Sequence, residues 1–148
     1  MSSLFLFPVH YYRNVLITIF CLLTLMFNVA NAQFIVVSDG LEIDSLSNAQ
    51  LRGIFTSRLK TIRGQSVKVF IQNIDSRTHR NFTENFLNMR TYQLDGYWRQ
   101  VVFSGQGRRP QIVGSDRRML EEISKRDNAI GYVSEPIEYP GVRYIERQ

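Results

Sequence analysis

Apolar residues recur along this chain with two different periods. Phe34-Ile-Val-Val-Ser38 is a β-branched run ended by Asp39-Gly40, which predicts a buried strand entering a turn. In Asp44-Ser-Leu-Ser47, Ser47 stands three residues before Gln50, the spacing of a capping box. The helix opened there carries Leu51, Ile54 and Phe55 on one face. Arg63-Gly64-Gln65 predicts a turn, and Val67-Lys-Val-Phe-Ile71 a second strand. Asp75-Ser76 offers side-chain acceptors at another helix start, followed by Phe82 and Phe86 one turn apart. Leu94, Tyr97, Trp98, Val101 and Val102 form a full helical stripe, which assigns Tyr97 and Trp98 to core packing. Ser104 to Pro110 reads as a loop, and Ile112-Val113 as a short strand before the start signal Gly114-Ser115-Asp116. Met119, Leu120 and Ile123 line the next helix, whose outer face pairs Glu121 with Lys125 and Glu122 with Arg126. Ala129 to Val133 and Val142 to Ile145 complete the chain as strands. Strands alternating with helices predict one α/β domain around a mixed or mainly parallel sheet.

The N-terminus has a different character. Val15 to Phe27 is a 13-residue run whose only polar members are Thr18, Cys21 and Thr24. Arg13 precedes it and Ala30-Asn31-Ala32 follows. This is the layout of a secretory signal peptide spanning 1–32, cut after Ala32. The run falls short of the roughly 20 apolar residues a spanning helix needs. The domain is therefore expected to be 33–148, periplasmic or secreted, with no membrane span after signal removal.

Composition then narrows the chemistry. Of 18 basic residues, the loss of Arg13 leaves 17 against 13 acidic ones, a net charge of +4. Export argues against nucleic acid as partner and leaves anionic small molecules, anionic lipid or acidic proteins. The single cysteine, Cys21, lies in the signal segment, so the exported part has none. With His79 as its one histidine, it lacks the ligands for a transition-metal cluster and the parts of a histidine-based triad. His79 itself reads as a solvated residue of a helix start. No cofactor motif stands out, since Gly105-x-Gly107 lacks the third glycine of a dinucleotide loop. A non-enzymatic protein is expected.

Anion binding is the chemistry that the residues do offer. Asp75-Ser76-Arg77-Thr78 and Gly114-Ser115-Asp116 present helix-start amides and hydroxyls, which attract phosphate or carboxylate. Arg77, Arg80, Arg108, Arg109, Arg117 and Arg118 lie in or near these segments, and guanidinium suits bidentate oxyanion contacts. The same serines and aspartates also serve as simple helix caps, and surface arginines as solvated charge.

Four phrases occur in order: Leu46-Ser47-x-x-Gln50-Leu51-x-x-Ile54-Phe55, Asp75-Ser76-x-x-x-Arg80-x-Phe82, Tyr97-Trp98 through Phe103-Ser104-Gly105-x-Gly107-x-x-Pro110, and Asn128-Ala-Ile-Gly-Tyr-Val133. Together they resemble the short, exported relatives of the phosphate-binding proteins of ABC transporters, in the periplasmic-binding-protein-like superfamily. The resemblance runs from about Phe34 to Tyr144. It implies the fold of a single lobe, chiefly the second, of proteins whose two α/β lobes close on phosphate like a hinge. It also implies an ABC permease or another envelope protein as partner. That lobe's anion loop in the family has an arginine four residues before a Ser-Gly-Thr. Here Ser76 and Thr78 match the serine and threonine, Arg77 replaces the glycine, and Gln72 stands in the arginine's place. The implied ligand-binding set is Asp75, Ser76, Arg77, Thr78 and Arg80. The alternative is a periplasmic interaction, sensor or accessory module that keeps the fold and has lost the ligand, with Arg108-Arg109 as a contact loop.

Overall fold

The computed structural model describes residues 33–148, so the signal-peptide reading of 1–32 lies outside the described residues. Strand β1 (Phe34–Ser38) is the hydrophobic run of the N-terminal end, and its last four residues are buried. It pairs antiparallel with β7 (Ala129–Val133) on one side and β8 (Val142–Arg147) on the other. β2 (Ser45–Leu46) adds parallel to β8; β5 (Lys68–Gln72) runs parallel to both β7 and β6 (Gln111–Val113). The sheet order is thus β2-β8-β1-β7-β5-β6, mixed, with β1 alone reversed. A separate hairpin joins β3 (Thr61–Ile62) to β4 (Gln65–Ser66). Its turn residues Arg63 and Gly64 have φ of 49° and 81°, the type I′ geometry that matches strand twist.

Side chains alternate across the central strands, so each face of the sheet has its own core. Ile35, Val37, Ile71, Ile130 and Tyr132 face helices α1 (Asn48–Phe55), α2 (Arg77–Asn85) and α3 (Thr91–Phe103). These helices contribute Leu51, Ile54, Phe55, Phe82, Leu94 and Trp98. Val36, Phe70 and Val133 face the opposite way, onto Met119, Leu120 and Ile123 of α4 (Asp116–Ser124). The α/β expectation holds, with three helices on one face and one on the other.

Local signals place the helices. The Ser47 hydroxyl accepts from the Gln50 amide at 3.2 Å while the Gln50 side chain accepts from the Ser47 amide at 2.9 Å, the predicted capping box. Ser115 caps α4 by accepting from the Arg118 amide at 3.3 Å. Four details differ from the sequence reading. β5 starts and ends one residue later, and β2 is too short to show a period. On α4, Glu122 does meet Arg126 at 2.9 Å, but Lys125 also turns to Glu122, and Glu121 is held instead by Arg118 at 2.8 Å. Backward i,i+3 reach competes with the forward pair because both separations share one helix face. Val102, placed in the apolar stripe, is exposed, since α3 presents mainly Leu94 and Trp98 to the core.

Gly131 marks where α4 rests on the sheet. A Cβ there would overlap the Met119 Sδ and stand 3.0 Å from Ile123 Cδ1. Because both neighbours are fully buried, Gly131→Ala is expected to cost about 1–3 kcal/mol by overpacking. Urea unfolding measures this, and a neutral substitution would refute the close packing of α4 on β7.

Candidate functional site

The turn from β5 into α2 is built by its own polar groups. The Ser76 amide donates to the Asn73 carbonyl at 2.9 Å and the Asp75 amide to the Asn73 side chain at 3.3 Å. Ser76 is the N-cap, its hydroxyl accepting from the His79 amide at 3.1 Å and its carbonyl from the Arg80 amide at 3.1 Å. The amides of Arg77 and Thr78 find no acceptor among the described residues. Asp75, Arg77 and Arg80 are exposed, and Ser76 and Thr78 half-buried. Neither Arg77 nor Arg80 is ion-paired among the described residues. One helical turn therefore carries two open N–H donors and two unpaired guanidinium groups.

Asp75 borders a groove with Ile74, Thr91, Tyr92 and Asp95. Ser76, Arg77, Thr78 and Arg80 line neither that groove nor the cavity behind it. Gln72 is committed elsewhere: its amide nitrogen donates to Asp116 Oδ1. The other Asp116 oxygen accepts from the Ser134 amide at 2.8 Å and the Ser134 hydroxyl at 2.5 Å. At the second predicted helix start the Asp116 carboxylate is thus held by internal bonds, while the Asp116 and Arg117 amides, like those of Arg77 and Thr78, find no acceptor among the described residues. The guanidiniums there point at an acid of their own helix, Arg117 and Arg118 both reaching Glu121. Arg109 pairs with Asp95, and Arg108 is exposed.

Behind the α2 start lies a buried polar junction that the residue pattern did not reveal. His79 is 1% exposed, a correction to its reading as a solvated helix-start residue. The stripe His79, Phe82, Thr83, Phe86 has helical spacing, and that signal places His79 on the apolar face. The Tyr132 hydroxyl accepts from the Gln72 backbone N–H at 3.0 Å and meets His79 Nδ1 at 2.5 Å. Assigning the hydroxyl proton to Nδ1, its one acceptor among the described residues, puts the imidazole proton on Nε2. Burial lowers the His79 pKa from 6.5 to about 4, so it is neutral at physiological pH. Burial likewise pushes the Tyr132 phenol up, so it stays a donor.

His79 also lines a narrow crevice, with an interior of only about 10 Å³, together with Ile71, Leu94, Trp98, Pro110 and Ile112. Trp98 is buried as the stripe predicted, and its indole N–H has no partner among the described residues. Tyr97 is half-buried; its hydroxyl accepts from Arg58 at 2.8 Å, and the same guanidinium lies 5.0 Å over its ring.

No family model matches the sequence, and no curated protein matches it. Solved structures do match the fold. An ABC-type phosphate transport receptor from Vibrio cholerae superposes with a TM-score of 0.60 at 18% identity, covering 78% of this chain and 45% of the receptor. PstS from Borrelia burgdorferi gives 0.59 at 13% identity, with 78% and 47% covered. A Clostridium perfringens protein crystallised with bound phosphate gives 0.61 at 14% identity, with 78% and 44% covered. The chain spans less than half the length of each of these structures. By fold, the α/β unit of residues 33–148 corresponds to slightly under half of an ABC-type phosphate transport receptor.

Proposed function

We propose that this protein is an exported, non-enzymatic solute-binding module whose α2 start receives phosphate or a similar small oxyanion. The supporting observation is the pair of open amides at Arg77 and Thr78, flanked by the unpaired Arg77 and Arg80 side chains, on a fold shared with a protein crystallised with phosphate. Unpaired first-turn amides and the helix dipole favour an anion there, and guanidinium adds charge-assisted bonds. Ser76 shapes the turn, and Asp75 lies at its rim. Residues 1–32 serve as a cleaved signal, placing 33–148 in the periplasm or medium, where an ABC permease or another envelope protein is the partner.

An open, one-sided site keeps its ligand hydrated, so affinity is expected in the range of about 1 mM, or about 4 kcal/mol. Titration calorimetry should show heat with phosphate, and the Arg80→Ala variant should weaken binding about tenfold, the loss expected for one hydrogen bond to a charged group. Combining it with Ser76→Ala should weaken binding further. Absence of heat up to several millimolar phosphate would remove this reading.

One observation favours the second reading, an interaction or sensor module that has kept the fold without the ligand. Gln72 spends its amide on Asp116 instead of facing the α2 start. A stoichiometric envelope partner bound equally by wild type and Ser76→Ala, with no phosphate heat, would select this alternative.

A further inference from the structure

Acidic residues are distributed unevenly along the chain. None occurs between 45 and 74, a stretch that holds Arg52, Arg58, Lys60, Arg63 and Lys68. None occurs between 96 and 115, which holds Arg99, Arg108 and Arg109. The fold brings these two stretches together. The Lys60 ammonium donates to the Gln106 carbonyl at 2.7 Å, Arg58 donates to Tyr97 at 2.8 Å, and Ser57 shares a hollow with Arg108. The loop that follows α3 folds back on the helix, with the Gln106 amide donating to the Val101 carbonyl at 3.1 Å. The carboxylate of Asp95 is taken by Arg99 and Arg109. Arg58, Lys60, Arg63 and Arg108 are exposed and have no carboxylate partner among the described residues.

Two large apolar residues stand out of this basic end. Phe103, last residue of α3, is 89% exposed and Val102 is 47% exposed. A phenylalanine so placed buries nothing within the fold and contributes nothing to its core. Beside a cluster of unneutralised cations, it has the chemistry of an interfacial anchor: an aromatic ring entering the acyl boundary while lysine and arginine meet anionic headgroups.

We propose that this end of the molecule, formed by Phe103, Val102, Arg58, Lys60 and Arg108, docks on an anionic phospholipid surface. The occupant is fixed by charge complementarity and by the apolar tip, since an anionic polymer in water offers nothing for Phe103 to enter. The surface shares no residue with the proposed α2-start site, so it stands whether or not phosphate binds there. It would hold an exported, diffusing domain at the bilayer where a permease resides.

The test is co-sedimentation of the full chain, purified with whatever processing its N-terminus has undergone, with vesicles of phosphatidylcholine alone or with added phosphatidylglycerol. A retained apolar N-terminal run would bind both kinds, so the readout is the anionic-over-neutral difference. That difference is expected to be at least 100-fold and to collapse in high salt. Replacing Arg58, Lys60 and Arg108 together by Gln should reduce binding to the anionic vesicles about 100-fold, from the attraction each cation near the surface contributes. Phe103→Ser, at an exposed position that leaves circular dichroism unchanged, should reduce it severalfold. Equal binding to both vesicle types, or full binding by the triple variant, overturns the proposal. So does a protein that ignores vesicles but is retained by an acidic protein column through the same cations.

Discussion

Tyr132→Ala is expected to remove about 3–5 kcal/mol of stability, the cost of emptying a fully buried aromatic site. The ring lies flat on Phe82, with centroids 3.8 Å apart and planes 6° from parallel, and also meets Phe55 at 5.9 Å. It thus joins β7 to α1 and α2 at once. Domains of this size have only about 5–15 kcal/mol in total, so the variant should be largely unfolded at moderate urea. Tyr132→Phe separates packing from hydrogen bonding. It keeps the ring but leaves the Gln72 amide without an acceptor and His79 without a donor. A loss of about 1–3 kcal/mol is expected from those two buried groups. Urea midpoints of the two variants measure the split. A neutral Tyr132→Phe would show that the hydroxyl does not hold the end of β5 to α2.

Acid is expected to unfold the protein through the same junction. His79 titrates at about 4 in the fold against 6.5 for an ordinary histidine, so the unfolded chain binds the proton more readily. Stability is therefore full above pH 6.5 and falls as the pH drops toward 4, because protonation favours the unfolded state in that window. The expected loss is about 2 kcal/mol at pH 5 and about 3 kcal/mol at pH 4. Above pH 5 this histidine dominates; lower down, Glu121, held below its usual range by the Arg118 guanidinium, adds its own decline. Denaturant melts at pH 7 and pH 5 for wild type and His79→Gln isolate the histidine. The variant should be less stable at pH 7 but lose far less on acidification. Parallel decline of the two proteins would show that His79 is not the titrating group.

Part of the candidate site was legible from neighbouring residues. Ser76 caps α2 and leaves the next two amides open because a helix start is a local event, settled within four residues. The capping box at Ser47, the turn at Arg63-Gly64 and the start at Ser115 were legible for the same reason. The fate of Gln72 was not. Its partner Asp116 lies 44 residues away, and no periodicity links a strand end to the first residue of a distant helix. His79 was misread because a single polar residue on an apolar face becomes core only when a matching group arrives, here Tyr132 from 53 residues on. The basic end is intermediate: both acid-free stretches stand in the sequence, but their adjacency rests on contacts such as Lys60 with Gln106, 46 residues apart.

By itself the sequence determined the alternation of strands and helices, the caps, the buried faces and the charge, since each depends on spacing within a few residues. Only the tertiary structure decided that β1 runs against its neighbours, that three helices share one face, and which polar groups close on each other and which stay open. Strand direction and long-range hydrogen bonds leave no local period to read. They are fixed when the whole chain must bury both faces of one sheet and still pair most of the polar groups it buries.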